Sequence, residues 1–213
     1  MGRALRDADV RILENFFAER GERPLASICP HAHSSALARF AARAWTPAAF
    51  ENVLVRQIDP ADRFEPAPER VEVRIARTED EIELWAALVA NAFSAPEDPL
   101  PTEMRLARAS ADVEWAVPLI GYVDGKPAGS GELTIDGDIA WLSTDATLPH
   151  FRRAGVQGAL QRARLELARD AGCTLAMTEA MPGSGSQRNM ERLGFTVVYT
   201  RVEILGPPAP AGR

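Results

Sequence analysis

Cysteine and histidine are scarce: two cysteines, Cys29 and Cys173, and three histidines stand among 213 residues. Neither their number nor their spacing makes a disulfide scaffold or a zinc site, and a reducing, cytoplasmic setting is expected. Long apolar runs are missing as well. No stretch approaches the roughly 18 apolar residues that cross a bilayer, and the start, Met1-Gly2-Arg3-Ala4-Leu5-Arg6-Asp7, has no apolar signal core. A soluble protein without a membrane partner is expected. Positive charge is not in excess: the formal net charge is -6, a poor match to a polyphosphate backbone, so no nucleic-acid partner is expected. The chain also lacks the Gly-Lys-Ser/Thr ending of a Walker loop and the Gly-x-Gly-x-x-Gly of a Rossmann loop. What it does have is 46% hydrophobic and 25% charged residues, enough to bury a sizeable core without a metal or disulfide staple.

Proline marks two composition shifts, Asp59 to Pro68 and Gly206 to Gly212. Proline donates no backbone hydrogen bond and resists helix, so these stretches are expected as a linker (59–70) and a flexible tail (206–213). They bound a small N-terminal piece (1–58) and a C-terminal domain (71–205). The domain opens with an alternating strand, Val71 to Ile75. Thr78-Glu79-Asp80-Glu81 then has capping-box spacing, and Ile82, Trp85, Leu88, Val89 and Phe93 recur as one helical apolar stripe. Segments 116–123, 128–135 and 139–147 follow, separated by Asp124-Gly125 and Asp136-Gly137, pairs that tolerate positive φ in tight hairpins; they read as an antiparallel three-strand meander.

After Pro149 the period changes. Val156, Leu160, Ala163 and Leu167 stack on one helical face, with Gln161, Arg162, Arg164 and Glu166 off it, and Gly172 suits the stop. A strand from Cys173 to Thr178 completes a right-handed parallel crossover. Ser184-Gly185-Ser186-Gln187 offers a second cap for a short helix ending near Gly194, before a last strand from Phe195 to Ile204. The fold class is a mixed α/β (α+β) sheet. The N-terminal piece echoes its end: Ala18-Glu19-Arg20-Gly21, a strand near Pro24 to Cys29, a helix from Ser34 to Arg43 and a strand from Phe50 to Arg56 repeat the order helix, glycine, strand, helix, strand found after Arg169. It reads as a structural, degenerate half-repeat without a site of its own.

Chemistry concentrates in Phe151-Arg152-Arg153-Ala154-Gly155-Val156-Gln157-Gly158, between a strand end and the longest helix. A helix's first turn has unpartnered N–H groups and the positive end of the dipole, and so binds phosphate oxygens. Gly155 and Gly158 let a ligand approach the backbone, and Arg152 and Arg153 add charge.

With this loop in its place the chain resembles the GNAT superfamily of acetyl-CoA-dependent N-acetyltransferases. The family's hallmark, Arg/Gln-x-x-Gly-x-Gly/Ala after a three-strand meander, is matched by Arg152-x-x-Gly155-x-Gln157 in all but its last position. Leu193-Gly194-Phe195 resembles the Leu-Gly-Phe that ends the family's last helix. The resemblance runs from about Val71 to Leu205. It implies a GNAT-like sheet whose crossover carries the CoA loop: Arg152, Arg153, Ala154, Gly155, Val156, Gln157 and Gly158 on the pyrophosphate, with Asp145, Ala146 and Thr147 pairing their backbone with the pantetheine arm. The strands ending near Thr147 and beginning at Cys173 would splay to admit the thioester. Asn189 and Ser186 would face the cofactor arm.

The implied reaction passes acetyl directly from acetyl-CoA to a primary amine of a small molecule or peptide, with no acyl-enzyme. A neutral nitrogen is required, so something must accept a proton. The family's frequent glutamate on the fourth strand corresponds to Trp141, which leaves Glu179, Asp145 and Glu132 as acidic candidates. The family's tyrosine before Leu-Gly-Phe corresponds to Met190, which leaves Tyr199 or solvent to protonate the thiolate. Those two substitutions sustain an alternative, a non-catalytic acyl-CoA-binding regulatory or sensor module. Half a repeat also leaves an incomplete sheet, which a homodimer could complete.

Overall fold

The structure, a computed structural model, describes residues 3–93 and 101–208. In chain order its elements are α1 (Asp7–Ala18), β1 (Leu25–Ile28), α2 (Ser35–Ala42), β2 (Thr46–Gln57), β3 (Val71–Ile75), α3 (Glu79–Phe93), α4 (Pro101–Ala111), β4 (Ala116–Val123), β5 (Lys126–Asp136), β6 (Ile139–Thr147), α5 (Val156–Asp170), β7 (Leu175–Ala180), α6 (Gly185–Arg192) and β8 (Thr196–Leu205), with a 3-10 turn over Pro149–Phe151 before α5. The mixed α/β class is as expected. The strand expected to open at Cys173 begins two residues later, because Cys173 closes α5: its N–H donates to the Ala168 carbonyl at 2.9 Å. Helix α4 breaks the expected direct passage to the meander; Met104, Ala107 and Ala111 share one face at i, i+3, i+7 spacing, and Ala107 and Ala111 pack in the core.

Two compact units emerge, divided differently from the sequential pieces 1–58 and 71–205. One joins residues up to Leu54 with those from Glu179 onward; the other spans Val55–Thr178.

In the Val55–Thr178 unit the strand order is β7-β6-β5-β4-β3. β3 to β6 pair antiparallel and β6 pairs parallel with β7, the expected meander and crossover. Asp124 (φ 49) and Gly125 (φ 74) make the first hairpin turn as their residue types require. Directly paired residues share a sheet face, so the two sides can be read off. Ile120 and Tyr122 point to α3 and α4, where they pack with Trp85, Ala86, Leu88 and Val89. Gly121 points to α5, meeting Val156 and Leu160. At the start of α3 the Thr78–Glu81 capping box forms: Glu81 accepts from the Thr78 N–H at 2.9 Å and donates its own N–H to Thr78 Oγ1 at 3.3 Å. The Phe93 side chain, expected on the same stripe, lies outside the described residues.

The stretch expected as a linker is held against this unit. Asp62 is ion-paired with Arg56 at 2.6 Å, its carbonyl accepts from Arg169 Nη1 at 2.7 Å, and Pro68 packs on Gly155. The buried face of α5 also differs from the expected stripe. Val156, Ala159, Leu160, Gln161, Arg164, Leu165 and Ala168 are buried, whereas Ala163 and Leu167 are only partly so. The sheet beneath α5 is lined by glycines, and the missing side chains make room for an arginine.

In the other unit β8 lies between β1 and β2, and β1 pairs antiparallel with β8 from Leu25↔Leu205 to Ile28↔Val202. Val10, Ile28, Phe40, Trp45 and Ile204 form its core. The cap expected at α6 is present, with Ser184 Oγ accepting from the Gln187 N–H at 3.1 Å. Of the proline-rich tail, residues 209–213 lie outside the described residues.

Candidate functional site

The loop into α5 builds a helix start without a side-chain cap. Arg152 is extended, Arg153 takes φ 66 and Gly155 takes φ 90 with ψ 2, so the chain turns twice through the left-handed region before the helix starts at Val156. Only glycine adopts the Gly155 conformation at no steric cost, and a Cβ there would also meet Pro68 Cγ at 2.8 Å. No side chain caps the helix at Gly155. The first turn therefore presents the positive end of the helix dipole, the end that binds oxyanions. Arg152 and Arg153 are exposed, and among the described residues neither forms an ion pair. His150, next to the loop, is exposed and tilted against Phe151 at 4.3 Å between ring centroids. Gly158 is partly exposed in the second half of the turn, and Gln157 and Ala154 complete the segment.

The loop follows the end of β6, where the sheet is irregular. The register passes from Ser130↔Ala146 to Glu132↔Ser143, so Gly131 on β5 stands opposite two residues of β6, Thr144 and Asp145: a β-bulge. Thr144 has φ 51, a left-handed conformation that is costly for a β-branched residue. Within this unit the parallel ladder between β6 and β7 runs from Ile139↔Leu175 to Leu142↔Thr178, while β6 continues to Thr147. Among the described residues of this unit, 143–147 have no strand pairing on the side that faces away from β5. The segment sequence reasoning assigns to the pantetheine arm, Asp145, Ala146 and Thr147, lies on this edge.

Two acidic side chains of the same unit stand beside the bulge. Asp145 accepts from the Arg164 guanidinium in a buried ion pair; burial pushes its pKa up, with Arg164 opposing. Glu132 is 5% exposed and accepts from Ser110 Oγ at 2.8 Å and Ser143 Oγ at 3.2 Å. It has no cationic partner among the described residues, which sets it apart from Asp145. Trp141, at the position of the family's glutamate, is 41% exposed and pairs with Met177.

The remaining candidates belong to the unit that holds Glu179 onward. Glu179 is partly buried and bound to Arg201, which also binds Glu51. Burial raises the Glu179 pKa, Arg201 opposes, and the nearby Glu51 charge raises it further. Tyr199 lies on β8, edge-to-face with His31 at 5.9 Å. Asn189 accepts from Arg192 at 2.8 Å on α6, and Met190 is fully buried as packing. Of the cysteines, Cys173 is buried and its thiol pKa is raised by that burial, as expected of an inert thiol.

Sequence reasoning missed Arg164. It reads as one of several polar residues off the helix's apolar face, yet it is wholly buried. The signal that could have found it is Gly131, set between Ser130 and Glu132 in a strand that otherwise buries its side chains.

The profile of the Acetyltransferase (GNAT) family matches residues 82–195, more than half of the chain, from within α3 to just past the end of α6. The chain belongs to the GNAT family. Among solved structures, a GCN5-related N-acetyltransferase from Kribbella flavida is similar at 21% identity, over 97% of this chain and 78% of that one, with a TM-score of 0.70. A tandem GNAT protein from the clavulanic acid biosynthesis pathway is similar at 16% identity, over 96% and 70%, with a TM-score of 0.65. AAC(6')-Iy in complex with the bisubstrate analogue CoA-S-monomethyl-acetylneamine is similar at 20% identity over 59% of this GNAT chain and 90% of that one, with a TM-score of 0.50. These likenesses are of fold. No protein of curated function matches the sequence. No helix of the described residues is long and apolar enough to cross a membrane.

Proposed function

We propose that this GNAT-family acyltransferase moves an acetyl group from acetyl-CoA directly to a primary amine of a small molecule or peptide, in a reducing, cytoplasmic setting. The observation that carries the reading is the uncapped start of α5, with two unpaired arginines, placed directly after a bulged strand edge. Donors for a pyrophosphate and a strand edge for a pantetheine arm therefore occur in the order the cofactor needs them. Bound acetyl-CoA would supply a thioester carbonyl open to attack by a neutral amine, with the thiolate as leaving group.

The chain's own part is binding, polarisation and proton transfer. Arg152, Arg153 and the N–H groups at 155–158 hold the anionic end. Backbone donors on the free edge of β6 polarise the carbonyl. Glu132 is the proton acceptor this geometry favours, because its carboxylate carries only hydroxyl donors, and Ser143 on the bulged strand can relay the proton to it. Asp145, engaged by Arg164, is less available. Glu179 is a second candidate, on the observation that burial and Glu51 raise its pKa toward the working range of a general base. Met190 is packed and offers no acid, so Tyr199 or water protonates the thiolate.

The test is calorimetric titration with acetyl-CoA, followed by release of CoA thiol in the presence of a panel of primary amines. Saturable binding with amine-dependent thiol release supports transfer. Binding without release for any amine supports the sensor reading, which the tryptophan and methionine at 141 and 190 favour. No binding by folded protein refutes both.

A further inference from the structure

Buried cations are costly: a methionine or leucine in the interface between α5 and the sheet would pack as well without the desolvation penalty. Arg164 is nonetheless fully buried, and every acceptor it uses beyond its own helix lies at the bulge. Nη1 donates to the Glu132 carbonyl at 3.0 Å and to the Ser143 carbonyl at 2.9 Å, Nη2 to the Asp145 carboxylate, and Nε to the Leu160 carbonyl at 3.1 Å. The guanidinium occupies the space left by Gly131, where a Cβ would stand 2.9 Å from Arg164 Cζ. The Gly131 carbonyl is taken from elsewhere, by Trp85 Nε1 at 3.1 Å. Thr144 in the bulge is held at φ 51 with its hydroxyl buried and unpartnered. Strain of this kind persists only where the surroundings over-determine it.

We infer that Arg164 is the positioning residue of the acyl site: its fork fixes the bulge that ends the β6–β7 ladder and sets the edge of Asp145, Ala146 and Thr147 at the thioester. The inference rests on the acetyl-CoA reading above. It also ties the two ends of the site together. Arg164 lies on the helix whose start binds the anion, nine residues after Gly155, roughly 13 Å along the axis at 1.5 Å per residue. One rigid element therefore sets both the anion site and the strand edge. Without the fork, the freed carbonyls lose their donors, the bulge relaxes, and the thioester end loses its register while the anion end keeps its own.

The test uses two probes, acetyl-CoA and ADP, which carries a pyrophosphate but no pantetheine arm. The variants are Arg164→Met combined with Asp145→Leu, which removes both charges together, and Arg164→Lys. In the wild type acetyl-CoA should bind more tightly than ADP. In the double variant ADP affinity should stay within about twofold, acetyl-CoA affinity should fall ~10-fold, and thiol release should fall further through kcat than through KM. Arg164→Lys should behave like the double variant, because one ammonium cannot span acceptors on β5 and β6. Unchanged acetyl-CoA binding and turnover in either variant overturns the inference. Equal loss of both probes also overturns it, since that marks a general packing role. Should the double variant fail to fold, Asp145→Asn, which keeps the Arg164 fork but weakens its partner, must show the same split between probes at smaller size. A wild type that binds neither probe refutes the acetyl-CoA reading itself, and the assignment of Arg164 falls with it.

Discussion

The sharpest prediction concerns the two arginines before α5, changed together as Arg152→Ala and Arg153→Gly. Neither is ion-paired among the described residues, so their removal strands no partner, and an exposed change without lost contacts stays within about 0.5 kcal/mol of wild type. At position 153 there is even a gain to expect. A side chain at φ 66 costs roughly 1–2 kcal/mol that glycine avoids, offset by about 0.5–1 kcal/mol of extra chain entropy on unfolding. The melting temperature should thus hold or rise by a few degrees. Binding should move the other way. A guanidinium near a pyrophosphate oxygen at the surface is worth ~1 kcal/mol after solvent screening, so the pair contributes ~2 kcal/mol, or roughly 30-fold in Kd. Calorimetry with acetyl-CoA at low and moderate salt reads this directly: the variant should bind ~30-fold more weakly and lose most of the wild type's salt dependence. Acetyl-pantetheine, which has no pyrophosphate, should bind both proteins alike. A folded variant that binds acetyl-CoA within twofold of wild type would falsify the assignment of this loop.

Other outcomes follow from particular contacts. Trp85→Phe removes the donor to the buried Gly131 carbonyl and should cost about 2 kcal/mol, seen as a fall of roughly 4–8 °C in thermal unfolding; no shift would mean that carbonyl finds another donor. Glu14 is held below its ordinary pKa first by the Arg43 guanidinium. Its ionised form therefore stabilises the protein above the usual carboxylate range and ceases to do so as pH falls through the lowered pKa. Glu14→Gln should be less stable than wild type at neutral pH, with the gap closing in acid; a gap independent of pH refutes the ion pair's role. Glu132→Gln and Glu179→Gln separate the proton acceptors: the correct one should lose ~100-fold or more in kcat with acetyl-CoA binding intact. If Glu179 is the base, the acid limb of the wild-type profile should lie above the ordinary carboxylate range, since its pKa is raised and activity needs the ionised form.

Much of the fold is legible because its signals are local. The Thr78–Glu81 and Ser184–Gln187 caps, the Asp124-Gly125 turn and the change of period at Val156 each act within a few residues, and each is where the sequence puts it. The position of Arg164 was illegible for the opposite reason. A helical wheel assigns it to a polar face, and only its pairing with a glycine 33 residues earlier in the chain shows that the face is buried. The same holds for Asp145 and Glu132, whose sequence neighbours distinguish nothing. Their difference arises in space, one against a guanidinium and the other between two hydroxyls.

The half-repeat shows how a local echo and a long-range pairing can disagree about consequences. The order α1–β1–α2–β2 does repeat α5–β7–α6–β8, as the sequence echo implies. An incomplete sheet was the expected result, because half a domain lacks the strands that would flank its own. In the unit that contains it, however, β1 pairs with β8 from the other end of the chain, and β2 lies on the other side of β8. The C-terminal strand is thereby covered on both edges by the piece that seemed to need covering. Strand β1, at one edge of this unit's strands, is only four residues long, and short edge strands are among the devices that discourage further pairing.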